Sequence, residues 1–290
     1  MYSAVSANKR NTIILMMVFV ALIGAIGWIF SYLYSDISIA WWTLGVATFY
    51  ALIQYFMAGK IAVAMTDAQK IEKRNCPRLW HAVETISIST GLPMPEVYII
   101  EDPAPNAFAT GRDPKHAIVA ATTGLVDMMD DNELMAVMAH EMSHIQNYDI
   151  RVSMIVFGLV SAIGLIADIG VRILWHGDRD SGKNPIALVV GIVVLILAPL
   201  IAMFVRLAVS RQREYLADSS AVLITRYPAG MANALRKLEG STRPMRKHST
   251  AMEALYINNP NKKSFMGNLL STHPPIEDRI KRIEQNQARF

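Results

Sequence analysis

The sequence contains one cysteine, Cys76, among 290 residues, so it can form no intramolecular disulfide and no metal site built from several thiolates. Charge is also scarce, with Asp, Glu, Lys and Arg making up 18% of the chain against 52% hydrophobic residues. That balance excludes a disordered chain, which needs low hydrophobicity and high net charge. No basic motif with interleaved aromatics accompanies the net charge of +4, which argues against nucleic-acid binding. Internal repeats and low-complexity tracts are absent.

The missing charges are missing in blocks. Asn11–Ser35 and Ile37–Gly59 contain none, with Asp36 between them. Two further apolar runs cover Val152–Leu174 and Pro185–Val205. A bilayer core of ~30 Å needs about 20 helical residues, so all four runs are long enough to span it. We read helices over about 13–34, 38–58, 153–174 and 185–205. The alternative is that they are buried core helices, and it applies most to the second pair, because Asp168 and Arg172 lie inside the third run. Those two are four apart, on one helix face where they can pair. The first run exceeds the 7–15 residues of a signal-peptide core and is followed at once by the second, so it reads as a retained anchor.

Basic residues orient the spans. Lys9 and Arg10 precede the first, whereas only Asp36 lies in the turn before the second. Lys60, Lys70, Lys73, Arg74 and Arg78 follow the second span, and Arg206, Arg211 and Arg213 follow the fourth. Positive residues favour the cytoplasmic side, so both termini and the long segment after the second span are expected there. The expected organisation is a helix pair in 1–59, a hydrophilic part in 60–151, a second hydrophobic pair in 152–205 and a second hydrophilic part in 206–290. Residues 60–150 hold seven Lys+Arg against thirteen Asp+Glu, whereas 206–290 hold fifteen against seven. Charges of opposite sign suit the two parts to dock on each other, or the basic part to lie on anionic lipid.

Within the first hydrophilic part, Cys76–Ser89 has the spacing of an amphipathic helix stopped by Gly91 and Pro93. Glu96–Glu101 and His116–Ala121 read as short strands, and the proline- and glycine-punctuated stretch between them, with Asn106, reads as a loop. Asp130 with Glu133 forms a capping-box pattern that starts a helix running through His140, with Asn147 as its terminator.

That helix carries HEMSH at 140–144, the H-E-x-x-H pattern. His140 and His144 are one turn apart on one face, where two neutral imidazoles can share one Zn²⁺. Glu141 between them can serve as general base toward a zinc-activated water. Catalytic zinc takes three protein ligands and keeps one position open. Glu214, in REYLAD after the fourth run, is the best third candidate, and Asp218 lies one turn further on to accept a histidine N–H. Arg211 and Arg213 read as interfacial anchors or charge partners, and His81, His116, His176 and His248 as surface or loop histidines.

HEMSH and REYLAD, with two apolar runs before and two between, resemble the HtpX-type membrane metalloproteases, relatives of the Ste24-type prenyl-protein proteases. The stretches APNAFATG at 104–111 and STHPP at 271–275 match as well. The resemblance implies a mostly α integral membrane protein: four transmembrane helices and a cytoplasmic α+β zincin-like domain. It also implies a bacterial inner-membrane endopeptidase acting on misfolded or damaged membrane proteins, with self-cleavage. Carried over, Asn106 holds the substrate backbone and His273 stabilises the oxyanion. From the residues alone, His273 is an ordinary surface-turn histidine. The strand near Val119 or the loop at Asn106 would align an extended substrate by strand addition.

Three other readings compete with this one. A Ste24-type processing protease has more spans than this chain. An intramembrane protease would embed the motif in a span, but Asp127, Asp130, Asp131 and Glu133 precede it here. A non-catalytic scaffold with structural zinc would need a fourth ligand, for which Asn147, Asp149 and Cys76 are the candidates.

Overall fold

The computed structural model describes residues 2–176, 211–241, 243–246, 256–257 and 274–286. The run at 185–205, the side chains of Asp168 and Arg172, and His176, His248 and His273 as site or surface side chains lie outside what is described.

The N-terminal hydrophobic runs fold as a helical hairpin, α1 (Tyr2–Tyr34) and α2 (Ile37–Met65), each longer than its apolar stretch. Asp36 caps α2, accepting from Ser38 N–H at 2.9 Å. The helices approach closely at Gly27, where a Cβ would lie 2.5 Å from Thr43 Cβ. Segments Val5–Tyr34 and Ile37–Met57 are long and apolar enough to cross a membrane. Trp28, Trp41 and Trp42 point outward near the hairpin turn, as aromatic side chains do at a lipid–water interface.

The third run begins α6 (Asp149–His176). Its residues Val152, Ile155, Val156, Leu159 and Ile163 pack against Leu15, Phe19 and Ile23 of α1 and Ala47 and Ala51 of α2. These positions recur at three- and four-residue intervals, which puts them on one stripe of each helix. Tyr50 Oη donates to Gly158 C=O at 2.8 Å and ties α2 to α6.

Between the hairpin and α6 lies a four-stranded mixed sheet of order β1-β2-β4-β3. Its strands are β1 (Gln69–Lys70), β2 (Glu96–Ile100), β3 (Ala107–Gly111) and β4 (Ala117–Thr122). β2 and β4 are parallel, while β1 pairs antiparallel with β2 and β3 with β4. Two sequence expectations are corrected here. AFATG is an edge strand rather than a loop. Its five residues are all buried, so they carry no inside–outside alternation to read. Val119 belongs to β4, inside the sheet and paired on both sides, so it offers no free edge to a substrate.

Helix α3 (Pro77–Thr90) buries Leu79, Ala82, Val83 and Ile86 and ends at Gly91, whose φ of 69° is the left-handed C-cap conformation that glycine adopts without strain. A short helix, α4 (Thr123–Met128), leads from β4 to α5 (Asp131–Gln146). The capping box is present in full: Asp130 accepts from Glu133 N–H, and Glu133 accepts from Asp130 N–H, both at 2.8 Å. Leu134, Val137, Met138, Met142 and Ile145 of α5 are all at most 1% exposed. Each such side chain contributes about 1.5–3 kcal/mol of hydrophobic stabilisation, so α5 is the rigid centre of the fold. Asn147 caps its C-terminus, Tyr148 has φ of 61°, and α6 departs at 80°. Further along the chain, α7 (Arg211–Thr225), α8 (Pro228–Gly240) and α9 (Ile276–Gln285) complete the described part. Ala221, Val222, Met231, Leu235, Leu238, Ile280 and Ile283 from these helices join the α5 core.

Candidate metal centre

A buried helix fixes its side chains in direction, and α5 aims two imidazoles at one point. His140 and His144 lie one turn apart with their Nε2 atoms 3.2 Å apart and their rings nearly perpendicular. Glu214, in the first turn of α7, brings one carboxylate oxygen to 3.6 Å from His140 Nε2 and the other to 3.6 Å from His144 Nε2. Among the described residues these three form the group of His, Cys, Asp and Glu side chains able to hold a metal, with ligand atoms within 4.8 Å of one another.

The spacing can be tested against a cation. Tetrahedral zinc–nitrogen and zinc–oxygen bonds of about 2.0–2.2 Å put ligand atoms about 3.3–3.6 Å apart. The 3.2 Å between the imidazole nitrogens is close to that range, Glu214 sets a different oxygen 3.6 Å from each nitrogen, and one ligand atom from each residue lies within 4.8 Å of the others. Two imidazole nitrogens and a carboxylate also suit zinc chemically.

The far side of each ring is held by a carboxylate. His140 Nδ1 is 3.0 Å from Asp218 Oδ1, and His144 Nδ1 is 3.0 Å from Asp149 Oδ2. Such contacts fix the tautomer that leaves Nε2 free for a metal. Arg279 grips Asp218 in turn, with Nε 2.9 Å from Oδ2 and Nη2 2.7 Å from Oδ1. It is fully buried. On the other side, Arg213 Nη1 lies 3.6 Å from Asp149 Oδ1, a charge partner as one sequence reading had it.

These contacts set the charges. Burial pushes the His140 pKa down, but hydrogen bonds to Asp218 and Glu214 outweigh it and raise the value to about 9. His144 is raised as well: burial opposes protonation, while Asp149 and the Glu214 charge favour it. Burial would raise Asp218, yet the Arg279 charge and hydrogen bonds bring it down to about 2. A cluster this acidic is built to hold positive charge.

The structure thus brings together His140, Glu141, His144, Glu214 and Asp218. Glu141 is buried beside its two histidine neighbours, 3% exposed. Asn106 is buried immediately before β3. Its backbone N–H donates to Thr122 Oγ1 at 2.9 Å and its side-chain amide to Met245 Sδ at 3.3 Å. Of the proposed fourth ligands, Asp149 addresses the wrong nitrogen of His144, Asn147 caps α5, and Cys76 packs at the head of α3. Sequence reasoning missed Arg279 as a site residue. A signal was present, because Ile276, Arg279, Ile280 and Ile283 lie on one helical stripe, with the arginine among the residues that face the core.

Comparison with known proteins points the same way. Two proteins named "Protease HtpX homolog" align over nearly their full length: one from Tropheryma whipplei (strain Twist) at 52% identity, covering 100% of both chains, and one from Streptococcus mutans at 45%, covering 98% of this chain and 99% of that one. The crystal structure of S. mikatae Ste24p matches 98% of this chain and 67% of its own, at a TM-score of 0.53 and 18% identity, a likeness of fold. The model of peptidase family M48 matches residues 72–287, a stretch that includes HEMSH, Glu214, Asp218 and Arg279, and with it the chain belongs to that family.

Proposed function

We propose that the chain is a zinc-dependent membrane endopeptidase, with His140, His144 and Glu214 as zinc ligands. The observation that carries this reading is the convergence of one ligand atom from each of the three residues to within 4.8 Å of one another. The relatives' shared name, protease HtpX homolog, supports it at 42–52% identity. A zinc ion held there supplies Lewis acidity toward water and the scissile carbonyl.

The chain's own residues do the rest. Glu141 takes the proton of the attacking water and passes it to the leaving amine. Asp218 and Asp149 hold the two imidazoles in the tautomer that presents Nε2. His273 donates to the oxyanion, a role worth about 3–4 kcal/mol per donor, and Asn106 holds substrate backbone. Strand β3 is the sheet edge beside α5, and its outward Ala107 C=O already accepts from Ile257 N–H at 3.1 Å. An extended substrate would pair along that edge in the manner of an added strand.

The substrates we assign are protein chains at the bilayer, chiefly misfolded or damaged membrane proteins. Four spans, with termini and metal centre on the cytoplasmic side of a bacterial inner membrane, are part of the proposal. The described helices supply two candidate spans, or three if the bent α5–α6 pair counts as one. The scaffold alternative is disfavoured, since a structural zinc site is closed by four protein ligands and the described cluster has three.

Purified protein should cleave casein, lose cleavage on chelation and regain it with zinc. Glu141→Gln should bind one zinc per chain and cleave nothing. Cleavage by that variant would remove Glu141 from its role, and chelator-resistant cleavage would sink the metal reading.

A further inference from the structure

The membrane hairpin reaches the metal centre. Asn8 belongs to the second turn of α1, five residues before the apolar run begins at Ile13, and is 4% exposed. Its side-chain amide donates to Asp149 Oδ1 at 2.7 Å and to Asn147 C=O at 2.9 Å. The second oxygen of Asp149 is the one that holds His144 Nδ1, at 3.0 Å. A continuous hydrogen-bonded path therefore runs from α1 through one carboxylate to a histidine of HEMSH. Adjacent contacts seat the same turn: Lys9 Nζ lies 4.6 Å from the centre of the Tyr148 ring, and Thr12 is 1% exposed.

We propose that Asn8 is a positioning residue of the metal centre, acting through Asp149 on His144, so that metal retention depends on the docking of the first membrane helix. A carboxylate that accepts only from an imidazole can swing with it. One whose other oxygen is fixed by a buried amide cannot, and the ring it holds stays aimed. The inference rests on the zinc-site reading above. It adds that the anchor helix is a working part of the centre as well as a tether.

The test uses the full-length protein in detergent, with zinc affinity measured by competition with a chromophoric chelator. Partners that orient a ligand typically matter 10–100-fold in metal affinity, and Asn8 acts one bond further out, so Asn8→Ala should weaken zinc about tenfold. The decisive comparison is a pair of double-variant cycles. Asn8→Ala should add less than about twofold in the Asp149→Ala background, because the path is already cut there. In the Asp218→Ala background it should cost its full factor. An unchanged affinity in Asn8→Ala, or an equal loss in both backgrounds, would overturn the proposal, the latter by showing general loosening. Because coupling between sites is reciprocal, zinc should also slow amide exchange of residues 6–12 in the unaltered protein, and an exchange rate indifferent to zinc would count against the proposal even if a variant failed to fold. Unaltered protein that binds no zinc would instead bring down the metal reading beneath it.

Discussion

Arg279 clamps Asp218 with two parallel hydrogen bonds, 2.9 and 2.7 Å long, and both side chains are almost wholly removed from water. The pair joins α9 to α7 and, through Asp218, to His140. A planar guanidinium matches a carboxylate in a way that a lysine ammonium does not. Removing one member of a buried pair leaves an uncompensated charge, which typically costs about 3–5 kcal/mol. We therefore expect Arg279→Ala to be destabilised by about that amount, and Arg279→Lys to recover only part of it. Replacing both members, as Arg279→Met with Asp218→Leu, should restore much of the stability while zinc affinity stays about 10–100-fold low. Thermal unfolding beside chelator competition separates the two effects.

Chelation supplies a second prediction. A ligand that binds only the folded state stabilises it by about 2.7 kcal/mol at one hundred times its Kd. Zinc at that excess should raise the unfolding midpoint of the metal-free protein, and His144→Ala should abolish the increment. A zinc-induced rise that survives in His144→Ala would place the metal elsewhere.

The third prediction concerns pH. In the metal-free protein His140 is raised from an ordinary 6.5 to about 9, and His144 is raised too. Between those values the folded state binds more protons than the unfolded one, so stability falls as pH rises. The contribution is complete below about 6.5 and gone above about 9. Zinc displaces the same protons, so its affinity should climb across this window. Calorimetry at pH 7 in two buffers of different ionisation enthalpy should show protons released on zinc binding. Metal-free melts at pH 6.5 and 8.5 should show the loss of stability, and a flat or rising midpoint would contradict it.

The fourth tests α5 from its far end. Asp130→Ala removes the side-chain half of the capping box and should cost about 1 kcal/mol, within a usual range of 0.5–2. The ligand histidines lie about three to four turns away, so zinc affinity should change little. A large loss of zinc would mean that α5 is less rigid than its buried face implies.

Much of this site can be read from the sequence because its signals are local. HEMSH needs only a helix to bring its imidazoles together, and Asp130 with Glu133 announces that helix. REYLAD places Glu214 and Asp218 one turn apart in the same way. The AFATG strand was hidden because small residues buried on both faces leave no alternation. Asp149 read as a spare ligand because sequence does not say which nitrogen of a histidine it faces. Asn8 carries no sign at all, since one amide near two basic residues looks like any membrane-proximal polar residue. Its partner is 141 positions away, a distance that only the folded chain closes.

The contacts around HEMSH also have an order in time. The centre draws on residue 8 at one end of the chain and residue 279 of 290 at the other. At about 5–20 residues per second, translation places roughly 7–27 seconds between His144 and Arg279. Throughout that interval HEMSH is already made, yet the carboxylates and the guanidinium that complete its surroundings are not all present. A nascent chain therefore carries HEMSH before the buried Arg279–Asp218 pair that holds His140 can form.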